Sequence, residues 1–386
     1  MRLERLRQNK GQKEVCYGIC VPSYLSKIEH GTVNPDDTIV KQLFAKMNIT
    51  YCCNESVLRE LRIKIESYFK CLNYAYKTKE IYQELLQQKE NLEYSELVID
   101  WLLIKGFEWE DVIDELANLE EYMTSSQKAY FYLLCFDKEP GAKEAENGCT
   151  FAAQTLNNSF SYANLLECYF FKDNYTAIHQ FENRITAIAL EEGNTYYLAN
   201  YYFVKGSAYA SLNMDDMMMS CYEKSVNFLH NTGWTEELSV FYYNIGATYI
   251  SLKKYDEAIS YLKKTGESAL TYHKLGLAYI RKGKIEKGKE YLEKMKQRIE
   301  NECPENETEI LRYKEACMEC ESDFLDSQEY MDVLEKLLYC LKKNYSFGHL
   351  YFYKELIMEV YKRQRKYKKA LEFEEEISSK IRKTYI

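Results

Sequence analysis

Thirteen cysteines and five histidines are the side chains of this 386-residue sequence best suited to bind a metal or to act as nucleophile or base. Their spacing supports neither role. Cys317-Met318-Glu319-Cys320 is a lone CxxC without a second pair or nearby histidines, whereas a structural zinc site closes with four ligands. Cys16 and Cys20 share one helical stretch with Cys16 on its apolar side, and the adjacent Cys52 and Cys53 are poorly placed to chelate one ion. Packing as small hydrophobes explains these cysteines better. His30, His179, His230, His273 and His349 are dispersed, and no phosphate-binding glycine loop is visible. The expectation is a protein that is not an enzyme and takes neither cofactor nor metal. An odd number of cysteines scattered through a long chain argues against a disulfide framework and for a reducing, cytoplasmic setting. The first residues, Met1-Arg2-Leu3-Glu4-Arg5, are charged at once, and no stretch approaches the roughly 20 apolar residues that span a bilayer.

What remains is recognition chemistry, and the elements that would position it are helices. Only 4 prolines and 15 glycines punctuate a chain rich in Leu, Glu, Lys and Ala, so an all-α fold is predicted and an all-β one excluded. The length exceeds the usual domain of about 100 to 200 residues, which points to two or three units or one long repeat array. The 37 tyrosines imply helix interfaces filled by rings whose hydroxyls need partners or solvent. Eight Lys/Arg against five Asp/Glu in residues 1–50 give +3, which leaves −12 for the rest of a chain whose total is −9. A short basic head on a long acidic body suggests two tasks, with the head the part able to meet phosphate.

Residues 1–55 read as four short helices. Leu3 and Leu6 mark the first, Gln12 to Cys20 the second, and Pro22 to Glu29 the third, with Pro22 in a first turn where its missing N–H costs nothing. Gly31 ends the third, and Asn34-Pro35-Asp36 opens a fourth carrying Ile39, Leu43, Phe44 and Met47. The runs Gln12-Lys13-Glu14-Val15, Ile19-Cys20, Tyr24-Leu25-Ser26-Lys27-Ile28-Glu29-His30-Gly31 and Asn34-Pro35 resemble the Cro/repressor-type (XRE) helix-turn-helix. The resemblance implies that the third helix enters the major groove of double-stranded DNA, so that Ser23, Tyr24, Ser26 and Lys27 face bases or phosphates. It also implies that Gln12 anchors a backbone phosphate, with Leu25 and Ile28 in the core. Asn9-Lys10-Gly11 is about two residues shorter than the family's segment and lacks a core leucine, which implies different docking of the first two helices.

Residues 56–386 carry an internal period. Ile245-Gly246, Tyr249, Ala258 and Leu262 recur as Leu275-Gly276, Tyr279, Gly288 and Leu292, 30 residues on. Gly206, Tyr209 and Tyr222 repeat the pattern more loosely, as do Tyr361 with Ala370 and Tyr169 with Asn174-Tyr175-Thr176-Ala177. These runs resemble tetratricopeptide repeats. Small residues at 246, 258, 276 and 288 let paired helices approach, and Tyr249 and Tyr279 fill the space between hairpins. Upstream, Leu58–Tyr76, Lys79–Gln88, Ser95–Ile104, Trp109–Met123 and Ser126–Phe136 read as amphipathic helices able to continue the stack. The resulting fold is an N-terminal helix-turn-helix domain followed by a right-handed superhelix of tetratricopeptide-like hairpins. One stripe of each first helix would line its concave side: Asn200, Phe203, Ser207 and Ala210; Tyr243, Ala247 and Ile250; His273, Leu277 and Ile280, with Arg281 beside the last and Asn164 and Asn244 adjacent. Such a groove suits an extended peptide, because an amide side chain can accept from a peptide N–H and donate to a C=O. The acidic body favours a neutral or basic peptide.

A Cro-type head on a tetratricopeptide body resembles the peptide-sensing regulators of the Rap, Rgg, NprR, PlcR and PrgX group. The resemblance implies a homodimeric transcription regulator that binds an inverted-repeat operator under the control of a short signalling peptide, without a membrane partner. Tyr351, Phe352, Tyr353 and Tyr361 are candidates for the dimer contact. Two alternatives stay open: an interaction scaffold whose head no longer reads DNA, and a Rap-like regulator of response-regulator phosphorylation.

Overall fold

The computed structural model describes residues 1–139, 142–172, 174–212, 214–230, 233–344, 349–350 and 352–382, and among them the chain is helical with no strand. It divides into two compact units, Met1–Cys168 with Arg184–Asn194, and Tyr169–Asn183 with Thr195–Ile386.

The first unit contains α1 (Arg2–Arg7), α2 (Gln12–Cys16), α3 (Pro22–Glu29), α4 (Asp37–Ala45), α5 (Glu55–Asn73), α6 (Lys79–Leu86), α7 (Lys89–Glu93), α8 (Val98–Phe107), α9 (Ile113–Ala117), α10 (Ser125–Lys138) and α11 (Ala145–Leu156). Two further helices, α12 (Ser159–Phe171) and α14 (Glu182–Glu191), run through the points of division, with α13 (Tyr175–Gln180) between them.

In the head, Val15, Cys16, Leu25, Leu43, Phe44 and Met47 form one core. α2 stops at Cys16, four residues before its predicted end, because the chain turns through Gly18 at φ +75°, a conformation glycine adopts without cost. Pro22 opens α3 as expected, and Asp36 caps α4 by accepting from the Thr38 N–H at 2.8 Å. Glu29, at the end of α3, is buried and ties this core together. Its carboxylate accepts from Arg5 Nε at 2.7 Å, Arg5 Nη2 at 3.1 Å and Gln12 Nε2 at 2.7 Å. Its carbonyl accepts from the Tyr122 hydroxyl at 2.6 Å, while Arg2 pairs with Glu121 and Arg7 with Glu115, so α1 and α3 are fastened to the segment 115–122.

Further along, Leu58, Leu61, Ile65 and Tyr68 line one face of α5 and pack on Leu85, Leu92 and Trp101. α8 is different: Trp101, Leu102, Leu103 and Ile104 are all buried, so it is the central helix of this unit and not the amphipathic one its sequence suggests. The predicted helix over 109–123 is broken into α9 and a short 3-10 turn at Glu120–Tyr122. Trp109 takes φ +69° to close α8 and its ring stays exposed.

The second unit is a run of paired helices: α15 (Thr195–Ser211) with α16 (Asp215–Leu229), α17 (Thr235–Ser251) with α18 (Tyr255–Leu262), α19 (Ala269–Arg281) with α20 (Ile285–Glu302), then α21 (Glu307–Met318), α22 (Gln328–Asn344), α23 (Lys354–Arg363) and α24 (Tyr367–Arg382). The 30-residue period is a period of contact. A Cβ on Gly246 would lie 2.6 Å from Leu262 Cγ, and one on Gly276 would lie 2.7 Å from Leu292 Cδ2, so each first helix touches its second helix where only glycine fits. Tyr249 stacks on Tyr261 and Tyr279 on Tyr291 at centroid distances of 5.6 and 5.5 Å. The turn repeats as well. Tyr169, Tyr209, Tyr249, Tyr279 and Tyr361 each accept, at their carbonyl, from the N–H five residues on, at 2.8–3.0 Å. Lys253, Gly283 and Arg365 take φ of +60°, +84° and +57° just before that donor, the geometry of a Schellman helix end. Of the aromatics expected at a dimer contact, Tyr353 and Tyr361 are buried within this chain, Phe352 is half-buried, and Tyr351 lies outside the described residues.

Candidate functional site

The residues expected to meet DNA lie on or beside α3. Ser23 and Lys27 are exposed, and Tyr24 and Ser26 are half-buried. Gln12 is half-buried and its amide donates to Glu29, so the atom expected to hold a phosphate is engaged inside the head. Burial alone would raise the Glu29 carboxyl; the hydrogen bonds from Arg5 and Gln12 outweigh it and hold the carboxyl below its ordinary range.

The residues expected to meet a peptide fall into three environments. Asn164 belongs to the first unit, and its amide donates to the Phe160 carbonyl at 2.9 Å, one turn back on its own helix. In the second unit, Phe203, Tyr243 and Asn244 are half-buried, as are Ser207, Ala210 and Ala247, while Asn200 is buried. Phe203 stacks on Phe241 at 4.6 Å and 9° between planes, so the stripe residue of α15 packs on a buried ring of α17 that lies outside the expected stripe. On α19 the stripe is closed: every residue from Thr271 to Ile280 is buried, His273 and Ile280 included. Arg281 is turned to α21, where Nε and Nη2 grip Glu319 at 2.8 and 2.6 Å.

What closes α19 is a cluster of ionisable and aromatic groups. His273 Nε2 lies 3.7 Å from the Glu315 carboxylate, and the Tyr330 hydroxyl donates to Glu315 Oε1 at 2.9 Å. Arg312 pairs with Glu309 and donates from Nη2 to His349 Nδ1 at 3.2 Å. The ammonium of Lys274 lies 2.8 Å from the centre of the Phe352 ring and 5.6 Å from that of Tyr353. Phe352 in turn packs against three of the unit's hydrophobic clusters.

Enclosure sets the charge states here. Burial pushes Glu315 well above the usual carboxyl range, and the neighbouring Glu319 carboxylate adds to it. Glu319 goes the other way: burial opposes its ionisation, but Arg281 holds it below the ordinary value. Burial, then Lys274 and Arg312, drive His273 well down, and burial with Arg312 and Lys274 drives His349 down to about 4. Lys274 is likewise lowered well below the usual lysine value by burial and by Arg312 and Arg281. Sequence reasoning placed His273 and Arg281 near a groove, gave Phe352 and Tyr353 to a dimer contact, and missed Lys274, Arg312, Glu315, Glu319 and Tyr330. The available signal was the i, i+4 pair Glu315 and Glu319 on an otherwise packed helix, together with Lys274 beside the repeat glycine Gly276.

No group of three or more His, Cys, Asp or Glu side chains suited to a metal occurs among the described residues, and no helix of theirs is long and apolar enough to cross a membrane. A sequence comparison with curated proteins gives no match. Residues 199–228, 240–264 and 269–298 match the tetratricopeptide repeat, the same helices that carry the glycine contacts and tyrosine turns. In fold, the chain is similar to a Rap protein crystallised in complex with Competence and Sporulation Factor, with a TM-score of 0.64 at 14% identity over 84% of this chain and 99% of that one.

Proposed function

We propose that this chain is a peptide-responsive transcription regulator. Its repeat helices bind a short signalling peptide along the stripes of α15 and α17, and its head binds an inverted-repeat operator through α3, two chains acting as a homodimer. The peptide half rests on one observation: the fold matches, over most of both chains, that of a Rap protein whose crystal structure holds Competence and Sporulation Factor. The half-buried Phe203 on α15 and the half-buried Tyr243 and Asn244 on α17 supply the chemistry to bury apolar side chains and hold a peptide backbone. The DNA half is supported by the exposed Ser23 and Lys27 on a short helix that follows a tight turn.

A second reading is favoured by a specific observation. Gln12 is spent on Glu29, and α1 is paired through Arg2 and Arg7 to Glu121 and Glu115, which suits a head kept as a fastened folding unit in a Rap-like regulator that acts on a partner protein. One experiment separates the two. The full chain is incubated with a pool of random-sequence duplexes, and the retained DNA is sequenced. The regulator reading expects an inverted repeat with half-site centres one or more helical turns apart, about 34–36 Å per turn. It also expects Lys27→Glu to weaken retention by about tenfold or more while folding is unchanged. Retention without sequence enrichment, or unaltered retention by Lys27→Glu, assigns the head to the second reading.

A further inference from the structure

In the first unit, α5, the start of α8 and the start of α10 enclose a cavity of about 530 Å³, the size of a small-molecule site. Ile65, Phe69, Leu97 and Tyr130 give it apolar walls, and Phe69 stacks on Tyr130 with ring centroids 4.4 Å apart. Two acids line it. Glu66 is exposed, whereas Asp100 is half-buried. Asp100 is held in place without being neutralised. Gln127 Nε2 donates to its Oδ1 at 2.9 Å, and Gln127 is itself fixed by the capping box of α10, its Oε1 accepting from the Thr124 N–H at 3.0 Å. The cations on the cavity wall do not reach this carboxylate: Arg62 pairs with Glu55 and Glu96, and Lys70 is exposed and makes no ion pair among the described residues. Burial raises the Asp100 carboxyl above its ordinary value, and hydrogen bonds alone oppose that rise, with no neighbouring cation contributing.

We propose that this cavity binds a small organic ammonium ion, its charged nitrogen on Asp100 and its aromatic or branched apolar body against Ile65, Phe69, Leu97 and Tyr130. None of the residues around the cavity belongs to α3 or to the repeat helices, so the site is separate from the surfaces expected to meet DNA and peptide. Three features set the class of ligand. The half-buried charge is negative and unpaired, which favours a cation and disfavours a carboxylate or phosphate. Both polar ends of Gln127 are engaged, by Asp100 and by Thr124, so the Asp100 Oδ2, which accepts from no other side chain among the described residues, is the acceptor left for an ammonium N–H. The paired rings of Phe69 and Tyr130 offer apolar area together with ring surface that attracts a cation.

Tryptamine, tryptophol and indolepropionate test the assignment, because they carry one indole body with a cationic, a neutral and an anionic end. Each is titrated into the full-length protein by isothermal calorimetry. Tryptamine is expected to bind about tenfold or more tightly than tryptophol, the scale of one charge-assisted hydrogen bond, and indolepropionate more weakly than either. Asp100→Asn keeps the shape of the side chain and an oxygen for the Gln127 amide, so it should abolish the preference for tryptamine while tryptophol binds as before. Equal affinity of wild type for tryptamine and tryptophol, a preference for tryptamine that survives in Asp100→Asn, or no saturable binding of tryptamine at millimolar concentration overturns the site. The wild-type comparison needs no variant, so it decides the matter even where Asp100→Asn folds poorly.

Discussion

Around Glu29 in the head, both carboxylate oxygens and the backbone carbonyl accept hydrogen bonds, from Arg5, Gln12 and Tyr122. Around Lys274 on α19, many more ionisable groups are buried, and His273, Glu315 and Tyr353 keep polar atoms without hydrogen-bond partners while Lys274 faces a ring. Both regions remove charge from water, which a fold tolerates only when attraction and hydrogen bonding offset the lost hydration. The contrast teaches how to tell a closed network from an open one. A closed network is complete as it stands and can only be damaged, whereas an open one has chemistry left for something else. Gln12 illustrates the point: a residue read from sequence as a phosphate anchor is part of the closed network.

The largest expected effect comes from applying one replacement to both regions. Arg5→Met strips the buried Glu29 carboxylate of its main partner, and breaking such a pair should cost about 3–5 kcal/mol. Lys274 faces an aromatic ring and makes no ion pair among the described residues, so Lys274→Met should cost far less. Urea denaturation of the two variants, followed by circular dichroism, checks the comparison. Equal losses would mean that Lys274 has a stabilising partner after all and that the two clusters are of one kind.

A second pair tests packing. A Cβ on Gly288 would sit 2.5 Å from Ile280 Cγ1 and 3.0 Å from the Gly276 carbonyl oxygen, while one on Gly11 would meet nothing within 4 Å. Gly288→Ala should therefore lose about 1–3 kcal/mol by overpacking, against roughly 0.5 kcal/mol or less for Gly11→Ala, as read from thermal midpoints.

These pairs also mark what could be read in the sequence. The repeat was legible at Gly246, Gly276, Tyr249 and Tyr279 because close helix approach admits few residue types, so the same solution recurs every 30 residues. The third and fourth head helices were legible from Pro22, Gly31 and Asp36, which act on their immediate neighbours. The state of α19 was not. His273 and Lys274 look like the polar side of a groove-lining helix, and the groups that enclose them, Glu315, Tyr353 and Phe352, come from elements about 40 to 80 residues further on, where no local periodicity links them. Arg281, expected beside the groove, is instead turned inward by a partner 38 residues further on. The end of α2 and the closing of α8 at Trp109 were missed for a smaller reason: single left-handed or glycine positions end a helix without disturbing the apolar pattern.

Acid should separate the regions next. His349 titrates near about 4 when folded and His273 is lowered well below its ordinary 6.5, so between those values each binds fewer protons folded than unfolded and stability is lost as pH falls. Glu315, raised when folded, works in the opposite direction. The second unit should therefore lose stability as pH falls below the ordinary histidine value. Glu29 is lowered when folded, so its contribution is present above the ordinary carboxyl value and disappears only as pH falls through its folded value. Hydrogen exchange at pH 7 and pH 5 should show amides of α19 and α21 losing protection while those of α3 keep it, and His349→Gln should flatten the dependence. Equal acid sensitivity of both regions would place the titrating groups elsewhere.

The smallest effects concern how the two regions end their helices. In the head, Gly18 and Gly31 hold the left-handed positions, at φ +75° and +64°. In the repeats, Lys253 and Gly283 sit at equivalent points 30 residues apart, at φ +60° and +84°, each followed by an N–H that closes on the carbonyl of Tyr249 or Tyr279 at 2.8 and 2.9 Å. An L-residue with a Cβ pays about 1–2 kcal/mol in this conformation, and glycine offsets about 0.4–1 kcal/mol of that advantage by its greater freedom when unfolded. Lys253→Gly should therefore stabilise by about 0.5 kcal/mol and Gly283→Lys should destabilise by about the same amount. Lys253 is exposed, and a Cβ on Gly283 meets nothing within 4 Å. Opposite signs in paired urea titrations would show that one turn geometry governs both hairpins. The same sign at both positions would mean that the repeat is shared in its helix contacts alone, and that its turns are set independently, as those of the head are.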